Sequence, residues 1–174
     1  LRVLPGVAGG TLVLGGDGRY GNRRAIDTIA RMAAAHGVAR LIVTTGGILS
    51  TPAASNLIRR HQAVGGVILS ASHNPGGPDG DFGVKINGAN GGPTPESITD
   101  AIYAVTLKLE GYSIVDAEPL PLDAPGDTQI GAMAVNVLDG VEDYVGLMQG
   151  LFDFDRIADL LRGNFRLAFD AMHA

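Results

Sequence analysis

The sequence predicts a three-layer α/β/α domain around a mostly parallel, mixed sheet with one antiparallel strand. Three observations predict it. Short apolar runs alternate with amphipathic helical stripes in the order β-α-β-α-β up to Leu69, the signature of a parallel sheet with helices on its faces. Cap residues, prolines and glycines fall where each helix should begin and end. A further apolar run, Phe82 to Ile86, follows the third strand with no helix between, whereas parallel pairing needs a longer crossover, so that strand is expected to be antiparallel.

In chain order, Thr11 to Leu14 reads as the first strand. NRRAIDTIARMAAAHG follows as a helix with Ile26, Ile29, Ala30 and Ala33 on one stripe, Asn22 as N-cap and Gly37 as its stop. Arg23 and Arg24 then sit in the first turn, where the helix dipole disfavours cations, which points to a nearby carboxylate or phosphate unless both are simply solvated. Leu41 to Val43 form the second strand, and Thr51 caps a second helix with Pro52 at its first position. Val67 to Leu69 is the third strand. A third helix follows Thr94 and Pro95, with Ile98, Ile102, Val105 and Leu109 in register. Residues 111–129 read as loop, Met133 to Leu138 as an edge strand, and GVEDYVGLMQG and DFDRIADLLRG as short helices closed by glycine. The tail FRLAFDAMHA alternates like a strand that lacks a partner here.

Composition narrows the function classes. The 174 residues are 45% hydrophobic, enough for a real core, and no apolar run is long enough to span a bilayer. No leader pattern is visible and the chain starts at Leu1 without methionine, so it reads as a segment of a longer, cytoplasmic protein. Cysteine is absent, which removes disulfides, thiol catalysis and thiolate metal sites. Residues 1–66 carry eight arginines against Asp17 and Asp27, while the rest carries five cations against sixteen acids. The cationic half suits small anions or merely solvated helix faces; the acidic total with few aromatics argues against nucleic acid.

Gly16-Asp17-Gly18-Arg19-Tyr20-Gly21 matches the dinucleotide pattern G-x-G-x-x-G between a strand and a helix. It lacks the acid about twenty residues on that would hold a ribose, since no acid lies between Asp27 and Asp79. No P-loop is present, and Asp81-Phe82-Gly83 has none of the companion motifs of a kinase. His36, His61, His73 and His173 lack metal-ligand spacing, and Asp79 and Asp81 read as turn formers. Ser72 is not a hydrolase elbow, because Ser70 and Asn74 stand where glycines are required.

What remains is the loop SASHNPGG after the third strand, with Lys85 on the strand behind it. A surface turn would use the same residue types. A serine at such a position, beside an imidazole and a lysine, also fits a hydroxyl that carries a phosphate and needs cations and loop amides around it.

SASHNPGG followed by DFGVKIN and NGGPTPE, with GGDGRYGN and GGILSTPA upstream, strongly resembles the first domain of the α-phosphohexomutases, and within them the phosphoglucomutases. The resemblance spans nearly the whole chain, with residues 1–163 as an N-terminally truncated first domain and 164–174 as the opening strand of a second. It implies that Ser72 is a phosphoserine that binds substrate and gives its phosphoryl group to a hexose phosphate, through glucose 1,6-bisphosphate, which also serves as activator. It implies His73 and Lys85 as active-site residues moving protons or neutralising the transferring group. It further implies Mg²⁺ bound by an oxygen of the Ser72 phosphate and by aspartates of a later domain. The remaining domains of the same polypeptide are thus the expected partners, and the segment alone is expected to be inactive. Arg19 and Ser50 lie in shared motifs and either touch ligand or hold loops, the structural reading being favoured because a charged side chain in a tight turn commonly pairs locally; Ser70, where threonine is frequent, reads as a cap on the strand end. A silent phosphosugar- or protein-binding relative, and a mannose or glucosamine phosphate specificity, stay open beside the phosphoglucomutase reading.

Overall fold

A computed structural model describes residue 1 and residues 3–171. Among these residues eleven elements follow in order: β1 (Thr11–Gly16), α1 (Asn22–Ala35), β2 (Arg40–Ile48), α2 (Thr51–Arg60), β3 (Gly65–Leu69), β4 (Val84–Gly88), α3 (Glu96–Thr106), β5 (Gly126–Ile130), β6 (Met133–Leu138), α4 (Gly140–Leu151) and α5 (Phe154–Arg162). The six strands form one sheet in the order β4-β3-β1-β2-β6-β5.

The pairs β1–β2, β1–β3 and β2–β6 are parallel. The pair β3–β4 is antiparallel, as the short connection requires, with Ile68 opposite Lys85. The expected single antiparallel strand is joined by a second, because β5 also runs antiparallel, against β6. So β6 is interior and β5 takes the edge, where the expectation had residues 126–129 in a loop.

Side-chain alternation along the buried strands supplies both faces. Leu12, Leu14, Leu41, Val43, Val67 and Leu69 pack with Ile26, Ala30 and Ala33 of α1. Val13, Ile42 and Ile68 point the other way, onto Ala54, Leu57 and Ile58 of α2. Asp143 of α4 accepts from Asn56 of α2 at 2.7 Å and pairs with Arg60, which keeps α4 on the α2 side. No helix among the described residues is long and apolar enough to cross a membrane.

Three helix starts shift from expectation. Gly21, at φ 84°, is the N-cap of α1, and Asn22 is instead a buried first-turn residue whose side-chain amide donates to the Gly47 carbonyl. Ser50 rather than Thr51 caps α2, accepting from the Ala53 amide at 3.4 Å, which gives Ser50 the structural role expected of it. Pro95 takes the N-cap position of α3, one residue after Thr94. α4 runs past Gly150 and ends at Leu151. Residues 164–171, whose alternation reads as a strand, take no regular structure and are exposed. The last three residues of that tail, His173 among them, lie outside the described ones.

Candidate active site

Loops leaving the carboxyl ends of β1, β2 and β3 meet at one edge of the sheet, the position where open α/β sheets bind ligands. The β1–α1 loop can approach β3 because residue 16 is glycine: a Cβ there would lie 2.3 Å from the Leu69 carbonyl oxygen. That closeness lets the Asp17 amide donate to the same carbonyl at 3.1 Å.

The loop of residues 70–83 leaves β3 and returns through β4. Its mouth is closed by the Ser70 amide donating to the Gly83 carbonyl at 2.9 Å. Inside, the Asp81 amide donates to the Pro75 carbonyl at 2.9 Å, and the Asn74 side chain donates to the Asp81 carboxylate at 2.8 Å. Asp81 is thus a loop tie, in keeping with its reading as a turn former.

Ser72 sits at the exposed tip with φ 58°, in the left-handed region. For a residue bearing a Cβ that conformation costs about 1–2 kcal/mol, so the surroundings must hold it. They do so from three sides. Its amide donates to the Ser70 hydroxyl at 3.0 Å, its carbonyl accepts from Arg19 at 3.1 Å, and its own hydroxyl accepts from the Lys85 ammonium at 2.6 Å. Lys85 reaches it because β4 is antiparallel to β3, which returns the chain beside the strand end that launched the loop. The expected trio of Ser72, His73 and Lys85 therefore shares one exposed edge, with Ser72 and Lys85 in contact and His73 exposed next to them.

Two residues do more than expected. The Ser70 hydroxyl holds the Ser72 peptide rather than merely capping the strand end. Arg19 ties its own loop to the serine loop, through Asp17, the Ser72 carbonyl and the Asp81 carbonyl, which gives content to its loop-holding reading. The Arg19 guanidinium holds the Asp17 carboxyl below its ordinary value of 3.8, with help from the Ser70 hydroxyl and against the opposing effect of burial. Because the folded value is lowered, this contribution to stability is present above pH 3.8 and is lost as the pH falls through the folded value.

The cations of the first half are largely spent on protein partners. Arg23 meets Asp123 at 2.9 Å, the carboxylate that its place in the first turn of α1 called for. Around it a cavity of about 450 Å³ opens between the β1–α1 loop and the end of β2, lined by Arg19, Arg23, Arg24 and Ile48 among others. Among the described residues no group of three or more histidines or acids could hold a metal ion.

The comparisons with known proteins bear on this geometry. Residues 2–113 match the family model described as phosphoglucomutase/phosphomannomutase, alpha/beta/alpha domain I. The chain belongs to this family. It is 53% identical over 171 residues to a phosphoglucomutase of Rhizobium radiobacter, covering 98% of this chain and 32% of that protein. It is 51% identical over 173 residues to a phosphoglucomutase of Schizosaccharomyces pombe, covering 98% and 31%. Parafusin of Paramecium, a phosphoglucomutase solved in an open form, superposes with a TM-score of 0.89 at 42% identity, over 99% of this chain and 33% of that one. The chain thus spans about a third of the length of these phosphoglucomutases, and its mixed sheet is the first-domain fold of the family.

Gly83 offers a test of how the loop of residues 70–83 is closed. A Cβ there would stand 2.3 Å from the Ser70 oxygen and 3.1 Å from the Ala71 Cα, all backbone that cannot rotate away. Gly83→Ala is expected to cost about 1–3 kcal/mol in denaturant unfolding, as overpacking does. A midpoint unchanged from the parent would show that the loop mouth yields freely.

Proposed function

We propose that this chain carries the phosphoryl-bearing serine of a phosphoglucomutase that interconverts glucose 1-phosphate and glucose 6-phosphate. Ser72 gives its phosphoryl group to the hexose phosphate and takes the other one back from glucose 1,6-bisphosphate. The observation that supports this most directly is the Lys85 ammonium 2.6 Å from an exposed, left-handed serine hydroxyl, in a chain of this family. A phosphate on Ser72 carries a charge of about −1.5 to −2 and would find Lys85 already in place as a compact counter-charge. His73 stands beside it as the proton-handling candidate. Phosphoryl transfer demands little covalent work from the protein; positioning and neutralisation supply most of the rate.

Mg²⁺ fits only in part. This chain's donor would be an oxygen of the phosphate on Ser72, and the described residues offer no acid cluster to complete the shell. The metal, when bound, would neutralise charge on the transferring group; the rest of its ligands, like the substrate's second anchor, belong to further domains of the polypeptide. Residues 1–163 are the first of these domains and 164–174 begin the second.

Peptide mass spectrometry on a polypeptide of the length of the family members tests the reading. Phosphate on Ser72 after incubation with glucose 1,6-bisphosphate, lost on addition of glucose 6-phosphate, is the expected result. A Ser72 that stays unmodified in folded, Mg²⁺-supplied protein overturns it in favour of a silent phosphosugar-binding relative.

A further inference from the structure

We infer that Arg19 is a positioning residue for phosphoryl transfer, fixing the peptide of Ser72 so that its hydroxyl oxygen has one place to be. The inference rests on the reading of Ser72 as the phosphoryl carrier. Arg19 comes from a different loop, 53 residues earlier in the chain, yet its side chain is only 7% exposed. Its Nε donates to both oxygens of Asp17, at 2.9 and 3.1 Å, and its Nη2 donates to Asp17 at 2.7 Å. Nη2 also donates to the Ser72 carbonyl at 3.1 Å, and Nη1 to the Asp81 carbonyl at 2.7 Å. Four of the five N–H groups of the guanidinium are therefore committed to protein acceptors. That leaves little of it for a ligand and gives it the geometry of a brace.

What the brace holds is specific. The Ser72 carbonyl is fixed by Arg19 and its amide by the Ser70 hydroxyl, so both peptide planes flanking the Cα are anchored. Ser72 is kept at φ 58°, and its hydroxyl moves only by side-chain rotation, within reach of Lys85. By also holding the Asp81 carbonyl, Arg19 sets the far limb of the loop, which leads directly into the strand that carries Lys85. One guanidinium thus fixes the nucleophile and restrains the approach of its counter-charge. A lysine could not do this, because a single ammonium cannot span a carboxylate and two carbonyls in one plane.

In-line transfer tolerates little error, and a misplacement of about 1 Å can cost on the order of 100-fold in rate. Arg19→Ala in a polypeptide of family length is therefore expected to lower kcat by roughly 30- to 100-fold while KM stays within about twofold, since substrate binding does not pass through Arg19. Arg19→Lys, which keeps much of the stem and the charge beside Asp17, is expected to fold but to recover less than about a tenth of the parental kcat. If the alanine variant does not fold, the lysine variant carries the same test. A kcat within threefold of the parent in either folded variant, or a loss confined to KM, overturns the inference. Phosphate on Ser72 is mapped in parallel: a parent enzyme that never acquires it overturns the underlying reading of Ser72, whereas a phosphorylated parent with unimpaired Arg19 variants overturns the brace alone.

Discussion

Replacing Ser72 by alanine in a polypeptide of family length is expected to abolish glucose phosphate interconversion, by about 10⁴-fold or more, as loss of a covalent nucleophile does. The fold should not notice. Ser72 is exposed at a loop tip, its backbone bonds to Ser70 and Arg19 do not involve its side chain, and surface changes of this kind usually stay within about 0.5 kcal/mol. Among the described residues, the side-chain hydrogen bond removed is the 2.6 Å one from Lys85. Ser72→Asp separates charge from chemistry: it returns an anion to Lys85 but has no phosphoryl group to give, and it too is expected to be inactive. A coupled assay that follows glucose 6-phosphate formation measures both. Turnover above about one per cent in the folded alanine variant would mean that the serine is a binding residue and that phosphate moves by another route.

How much of this could be read from the chain itself depends on the range of the interactions concerned. The central strands were legible because Leu12, Val13 and Leu14, and their counterparts in β2 and β3, are apolar on both faces, which only a sheet covered on two sides rewards. The antiparallel return of β4 followed from a loop too short for a crossover. β5 was not legible: Gly126, Asp127, Thr128 and Gln129 have no strand pattern, and they pair only because β6 presents a ladder beside them. Asn22 reads as a cap by residue type, yet Gly21 can take the left-handed turn into α1, which leaves Asn22 free to be buried against Gly47. At the site, motif resemblance together with their chemistry singled out Ser72 and Lys85, and the structure brings the two side chains within 2.6 Å. The role of Ser70 and the full reach of Arg19 were not legible, because a hydroxyl two residues away and a guanidinium 53 residues away declare themselves only through three-dimensional contacts. The arginine in a glycine-rich turn, paired at i−2 with an acid, was the available signal, and it pointed to a local ion pair rather than to a link between loops.

Lys85→Met is expected to slow phosphoryl transfer by about 10²- to 10³-fold, the range seen when a preorganised donor to developing charge is removed. Methionine keeps much of the stem and removes the charge, so the change isolates the ammonium. Lys85 is exposed and its alignment in β4 is set by backbone pairing with Ile68, so little stability should be lost. In the unphosphorylated chain the ammonium donates to the Ser72 hydroxyl. If Ser72 carries the phosphoryl group as proposed, the same ammonium would face phosphate oxygens whose charge is spread and shifting during transfer, where a compact cation can follow it better than a rigid fork. Lys85→Arg is therefore expected to recover only part of the rate, despite equal charge. Single-turnover transfer from phosphorylated Ser72 to glucose 6-phosphate distinguishes this from a merely structural lysine. If the methionine variant transfers within about threefold of the parent, Lys85 only orients the resting hydroxyl, and charge neutralisation must come from groups outside this chain.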